Sequence, residues 1–286
     1  MMQSRDHVRV RATAASESTR ASHELHVVTP YRLDLTVTAL RRLSTNVVDL
    51  LTPEGHYLRA LGGVRSGVIV DVVQQRADSL RVTLDGAAGE HAGALVLVRR
   101  MLGVDRDLSQ FNRAAARMEW LEPLALRMRG LKPPRYPTLW EAFVNTIAFQ
   151  QVSLQAASAI TRRLIIACGS PVERGGVTLY AFPRVEQVLR AKRSVLRTVG
   201  FSARKLATLE RVAEMLAAGT LDEAMLERQS SVDAAATLQR IRGIGAWTAA
   251  VILLRGLGRL DVFPLRDTSV ARNLSLVGGG VPLDLT

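Results

Sequence analysis

The chain has 286 residues, enough for two or three packed domains, and 48% of them are hydrophobic, which excludes global disorder. Lysine and arginine number 38 against 26 aspartates and glutamates, so the net charge of +12 favours an anionic partner, a nucleic acid first, over charge kept only for solubility. The single cysteine, Cys168, excludes an intrachain disulfide, argues against a cysteine-ligated zinc or iron–sulfur centre, and fits a reducing cytosol.

Residues 1–22, rich in Arg, Ser, Thr and Ala, read as a flexible basic tail and not as a secretory signal, because no apolar block follows the arginines. Short β-branched runs predict strands at Glu24–Val28, Arg32–Thr38, Gly67–Val73 and Ser79–Leu84, with about one helical turn at Ala39–Leu43. Thr29-Pro30, Gly62-Gly63 and Asp85-Gly86 punctuate them as turns. From Gly89 onward the apolar period becomes helical. Ala92, Leu95, Val96, Val98 and Leu102 suit one helix, and others are expected at 108–129, 138–149, 153–168, 183–198, 203–218, 231–242 and 246–257. Pro133, Pro134 and Pro137 break the chain between two of these helices, and Gly169–Gly176 reads as a loop. The expected fold class is therefore α+β: a small antiparallel β-rich domain over 23–105, then a helical region over 106–286. No apolar run reaches the roughly 18–20 residues of a membrane span. All five histidines (His7, His23, His26, His56, His91) lie in the first third without metal-ligand spacing, so acid–base chemistry further along rests on Asp, Glu, Lys or Tyr.

The most informative stretch is Leu238-Gln239-Arg240-Ile241-Arg242-Gly243-Ile244-Gly245-Ala246-Trp247-Thr248-Ala249. Two helices joined by Gly-Ile-Gly make a hairpin whose glycines permit unusual φ and a close approach of DNA to bare backbone. The N–H groups opening the second helix, with its dipole, suit a phosphate, and Ile244 anchors the turn in the core. On Gly-Ile-Gly alone, an ordinary glycine-capped corner remains the better reading. On its own residues, Asp267 reads as the cap of a helix starting at Thr268.

The full pattern L-x-x-I-x-G-I-G-x-W-T-A resembles the helix-hairpin-helix signature of base-excision DNA glycosylases, and Gly258–Asp267 resembles its glycine- and proline-containing tail ending in an aspartate. Glu141–Ser153 is similar to the I-x-x-Q-Q-x-S helix of the 3-methyladenine DNA glycosylase II family, Gly200–Lys205 to its G-x-S-x-x-K segment, and Pro30–Leu35 to the start of its N-terminal domain. The resemblance runs from about His26 to about Asn273, and four ordered motifs at family spacing make it specific.

The resemblance implies a TATA-binding-protein-like β-rich N-terminal domain and a monofunctional, cytoplasmic, nucleoid-associated enzyme. It would flip alkylated purines of the 3-methyladenine and 7-methylguanine type out of double-stranded DNA and hydrolyse the N-glycosidic bond. Asp267 falls on the catalytic aspartate, a fixed negative charge beside an oxocarbenium-like transition state. Trp247 stands where bifunctional relatives carry the Schiff-base lysine, and Trp247, Gln150 and Val251 would line the base pocket. Gln151 would fill the gap left by the flipped base. Ser153, Gly243, Ile244, Gly245, Thr248 and Lys205 would meet DNA, with Arg204, Arg240 and Arg242 as weaker candidates. No organic cofactor or catalytic metal is implied, although a monovalent cation is implied at the carbonyls of Ile241 and Ile244, and a monomer is the expectation. Val251 and Ala39 stand where relatives carry pocket aromatics, which leaves the substrate range open. Set against the resemblance, the family's final helices are expected to be missing after Asp267. The rivals are a non-catalytic helix-hairpin-helix DNA-binding protein, a truncated inactive glycosylase, an enzyme for oxidised or deaminated bases, and a regulatory fusion.

Overall fold

A computed structural model of the chain describes residues 18–62, 67–264 and 267–277. The N-terminal part holds β1 (Ser18–His26), α1 (Leu33–Arg41), β2 (Leu50–Leu51), β3 (Tyr57–Gly62), β4 (Gly67–Arg76), β5 (Ser79–Ala87) and α2 (His91–Leu102). The strands form one antiparallel sheet in the order β1-β5-β4-β3-β2. The register sets Val70 opposite Leu84 and Val72 opposite Val82, so the period-two alternation of both strands puts one apolar row on one face. That row is buried with Leu33, Val37 and Leu40 of α1 and Val98, Met101 and Leu102 of α2.

The helical region follows with α3 (Ser109–Ala115), α4 (Glu122–Arg127), α5 (Leu139–Phe149), α6 (Leu154–Cys168), a hairpin of β6 (Ser170–Arg174) and β7 (Val177–Ala181), α7 (Val185–Arg190), α8 (Arg193–Thr198), α9 (Ala203–Ala217), α10 (Glu223–Glu227), α11 (Ser231–Gln239), α12 (Ala246–Arg255) and α13 (Thr268–Val277). Its core is built round α5, whose Phe143 and Ile147 are fully buried against α6, α9 and α12. Side chains of Thr138, Ser153, Ser202, Asp222 and Ser230 each accept a backbone N–H at a helix start, and such caps contribute about 1 kcal/mol each. Among the described residues, no helix is long and apolar enough to cross a membrane.

The two parts are joined by a buried charge cluster. Arg59 of β3 donates to Asp49 and to Glu141 of α5, both at 2.5 Å, and all three side chains are almost fully buried. Tyr57 adds a 2.7 Å bond to Asp49. Burial pushes the Glu141 carboxyl up to about 7, against the pull of Arg59.

The α+β order matches the sequence reading, and several elements differ. Of Arg32–Thr38, expected as a strand, all but Arg32 form the first part of helix α1. Its Leu33, Val37 and Leu40 recur at helical spacing and are buried, and burying each is worth about 1.5–3 kcal/mol, more than the roughly 1 kcal/mol span of β-propensity. Ser18–Ser22, expected in the tail, pair with Ala87–Thr83 as the start of β1. Residues 1–17 and 278–286 lie outside the described residues, as does the expectation that final helices are missing. The helix expected over 108–129 is broken into α3 and α4, with Pro123 in the first turn of α4, where its missing N–H costs nothing. The helix expected over 183–198 is divided at Ala191 and Lys192, both in extended conformation. The expected loop at Gly169–Gly176 is instead the first strand and turn of the β6–β7 hairpin. Strand β3 and helix α10 had no counterpart in the sequence reading.

Candidate active site

The hairpin lies between α11 and α12. Ile241 and Ile244 are buried, and the Ile244 N–H donates to the Ile241 carbonyl at 2.9 Å to close the turn. The two glycines around Ile244 serve different ends. Gly243 has φ +100, and a Cβ there would sit 2.0 Å from Oγ1 of Thr208 in α9, so its glycine is required by the protein's own packing. Gly245 has φ −93, open to any residue, and a Cβ there would meet nothing within 4 Å. It is exposed at the start of α12, where the first helical bond runs from the Ala249 N–H to the Gly245 carbonyl at 2.9 Å. The N–H groups of residues 246–248 therefore point out of the helix end without a helical acceptor.

Trp247 and Asp267 are brought together across this end. The Trp247 indole Nε1–H donates to Oδ2 of Asp267 at 2.8 Å. Oδ1 of Asp267 accepts the N–H groups of Ser269 (2.9 Å) and Val270 (3.0 Å) at the start of α13. The aspartate is therefore both a helix cap and a partner of Trp247, oriented by three donors and still half-exposed. Val251 lies one turn after Trp247 on the same helix face and is 7% exposed. Leu260 and Phe263, between α12 and Asp267 in the chain, are exposed.

The last turn of α5 abuts the hairpin. Gln150 Nε2–H donates to the Gly243 carbonyl at 3.0 Å and to Thr248 Oγ1 at 2.9 Å. The Gln150 amide nitrogen thus ties α5 to the hairpin, and Thr248 is 3% exposed. Gln151 is exposed with φ +54, a left-handed conformation that costs a non-glycine residue roughly 1–2 kcal/mol. Ser153 is exposed and caps α6, its Oγ accepting the Ala156 N–H at 3.2 Å.

The Lys205 ammonium donates to the Ala148 carbonyl at 2.9 Å, and burial lowers its pKa. It is therefore engaged with α5 and does not stand free on the surface. Arg204, Arg240 and Arg242 are exposed. A monovalent cation at the hairpin carbonyls would share the Ile241 oxygen with the Ile244 N–H. Among the described residues, no group of three or more His, Cys, Asp or Glu side chains could hold a metal ion.

Two features had no signal in the sequence. Arg42 places its guanidinium 4.0 Å from the centroid of the Phe149 ring. At the far end of α12, Arg100 and Arg135 donate to the Gly256 carbonyl, and Arg106 donates to the Gly258 carbonyl at 2.8 Å. Scattered arginines carry no pattern that singles these out.

The likeness to known proteins follows the same geometry. Residues 144–281 match the HhH-GPD superfamily base excision DNA repair protein model. The chain is 27% identical to a DNA-3-methyladenine glycosylase of Bacillus subtilis over 221 residues, 76% of this chain and 73% of that protein. It is 26% identical to DNA-3-methyladenine glycosylase 2 of Escherichia coli over 212 residues, 73% of this chain and 72% of that protein. In fold, it is similar to the structure of a 3-methyladenine DNA-glycosylase from Archaeoglobus fulgidus, with TM-score 0.76 and 24% identity over 91% of this chain and 88% of that one. The matched residues 144–281 carry the hairpin, Trp247 and Asp267, so the part of the chain that holds the site is the part similar to the HhH-GPD superfamily of base excision DNA repair proteins.

Proposed function

We propose that this base excision repair protein is a monofunctional DNA glycosylase that removes alkylated purines of the 3-methyladenine and 7-methylguanine type from double-stranded DNA. The observation that carries the reading is the pairing of Trp247 with Asp267 at the open end of α12. The names of the relatives, DNA-3-methyladenine glycosylases, support the substrate class.

In this reading the hairpin takes a phosphate on the N–H groups of residues 246–248, and the lesion leaves the stack while Gln151 occupies the gap. Trp247 and Val251 form one wall of the base pocket, and the electron-rich indole face attracts a cationic alkylated base. As the bond between C1′ and the base nitrogen breaks, the base takes the electron pair and the sugar becomes oxocarbenium-like. The Asp267 carboxylate stabilises that positive charge. Water adds to C1′, its proton is lost, and an abasic site remains. Tryptophan has no amine to form a Schiff base, so no strand cleavage follows. The enzyme works as a monomer in the nucleoid without an organic cofactor.

The test is to incubate the protein with methylated duplex DNA and to analyse both released bases and strand integrity. Free 3-methyladenine and 7-methylguanine with strands intact until heated in alkali is the expected result. Strand nicking with a borohydride-trapped enzyme–DNA adduct would contradict the monofunctional reading, and release of only oxidised or deaminated bases from suitably damaged duplexes would contradict the substrate class.

A further inference from the structure

We propose that the last turn of α5 is a clamped platform for Gln151, with Lys205, Arg42 and Gln150 as positioning residues for gap filling. The inference rests on the reading above, in which Gln151 enters the space left by the extruded base.

Side chains engage three successive residues of that turn from different directions. Lys205, from α9, donates its ammonium to the Ala148 carbonyl at 2.9 Å. Arg42, at the end of α1 in the N-terminal part, covers the Phe149 ring at 4.0 Å. Gln150 reaches the other way, bonding the Gly243 carbonyl at 3.0 Å and Thr248 Oγ1 at 2.9 Å. The next residue is Gln151, exposed and left-handed with φ +54.

The arrangement has a physical consequence. A helix C-terminus leaves its last carbonyls unpaired and frays readily. A side chain that enters a duplex from such an end loses aim, and the entropy of fixing it would be lost on each binding event. Here the last turn is held to α9, to α1 and to the hairpin. The Gln150 bonds also join the plug to the element that grips phosphate, because Gly243 and Thr248 both belong to the hairpin. Once the hairpin seats on a phosphate, the direction of Gln151 is set. The left-handed turn at Gln151 follows directly on these three held residues. The desolvated ammonium of Lys205 fits this placement against a helix end.

The deciding experiment compares the affinity of the full chain for two duplexes of one sequence, one intact and one carrying a tetrahydrofuran abasic analogue, in which the gap already exists. The wild type prefers the gapped duplex, and Gln151→Ala removes that preference. Lys205→Met, which keeps the stem and deletes the donor, lowers the gapped-to-intact affinity ratio by about tenfold, the equivalent of one well-placed interaction. Lys205→Arg, which restores a donor to the Ala148 carbonyl, brings the ratio back to within about threefold of the wild type. The proposal is overturned if Lys205→Met weakens both duplexes equally, as loss of a phosphate contact or of general stability would, or if it leaves both unchanged. A wild type with no preference for the gap overturns it as well. Failure to release methylated purines while the ratio behaves as expected would remove the substrate assignment and leave the clamp standing.

Discussion

The two ends of helix α12 are finished in opposite ways. At its C-terminal end, the carbonyls of Gly256 and Gly258 receive arginines 100, 135 and 106. Burial, with Arg100 and Arg106 close by, lowers Arg135 to about 10, which is the electrostatic cost of collecting cations there. A Cβ on Gly256 would lie 2.9 Å from that of Ala142 in α5. At the N-terminal end, Gly245 has nothing within 4 Å of a Cβ, and the first N–H groups have no helical acceptor. The contrast teaches where to look for function. The protein completes its own bonds at the end that carries load inside the fold and leaves unfinished the end that a partner completes, in keeping with a helix dipole that favours an anion at the N-terminus.

The largest expected effect breaks the closed side. Arg59→Met removes the cation between two buried acids, Asp49 and Glu141, and destabilises the fold by about 3–5 kcal/mol, read as a lower midpoint in chemical or thermal unfolding. Next is Gly243→Ala, where φ +100 and the 2.0 Å approach to Thr208 both count against a side chain. It costs about 2 kcal/mol in the same unfolding measurement.

Gly245→Val sharpens the contrast from the open side. Stability stays within about 0.5 kcal/mol of the wild type, while affinity for duplex DNA falls about tenfold, because the added bulk stands where a phosphate approaches. A melting point lowered as far as that of Gly243→Ala, with binding unchanged, would erase the distinction between the two glycines.

A pH slope at the junction probes the closed side a second time. The folded protein holds the Glu141 proton up to about pH 7, above the ordinary glutamate value near 4.3 in the unfolded chain. The stabilisation is full below the unfolded value and is lost as pH rises through about 7. The unfolding midpoint therefore falls between pH 5 and roughly 7.5, and Glu141→Gln flattens that fall.

The hairpin and the Asp267 cap were legible because their signals are local. Glycines in a tight turn, and an aspartate before Thr268, carry their reasons in neighbouring residues. Asp267 does cap α13, as its residues alone suggested, and the second carboxylate oxygen is what meets Trp247. Helix α1 was misread because Leu33, Leu35 and Val37 also satisfy a period of two, and only packing on the sheet selects the helical period. The β6–β7 hairpin was read as a loop: Gly175 and Gly176 take positive φ at its turn, as a two-residue hairpin requires, but the flanking strands are short and mixed. Gln150 could not have been read as a tie to the hairpin, since its partners lie 93 and 98 residues away. Lys205 and Arg42 are long-range in the same sense, and a lysine or arginine written in one dimension looks the same on a solvated face as against a helix end.

The measurement that bears most directly on this account is single-turnover release of methylated purines by wild type and Asp267→Asn, with affinity for abasic-analogue DNA measured on both. The account predicts that Asp267→Asn binds as the wild type does and releases base about a hundredfold more slowly or worse, because the amide oxygen keeps the cap of α13 while the negative charge and the acceptor for the Trp247 indole are gone. Equal release by the two proteins would contradict it and reduce Asp267 to a helix cap.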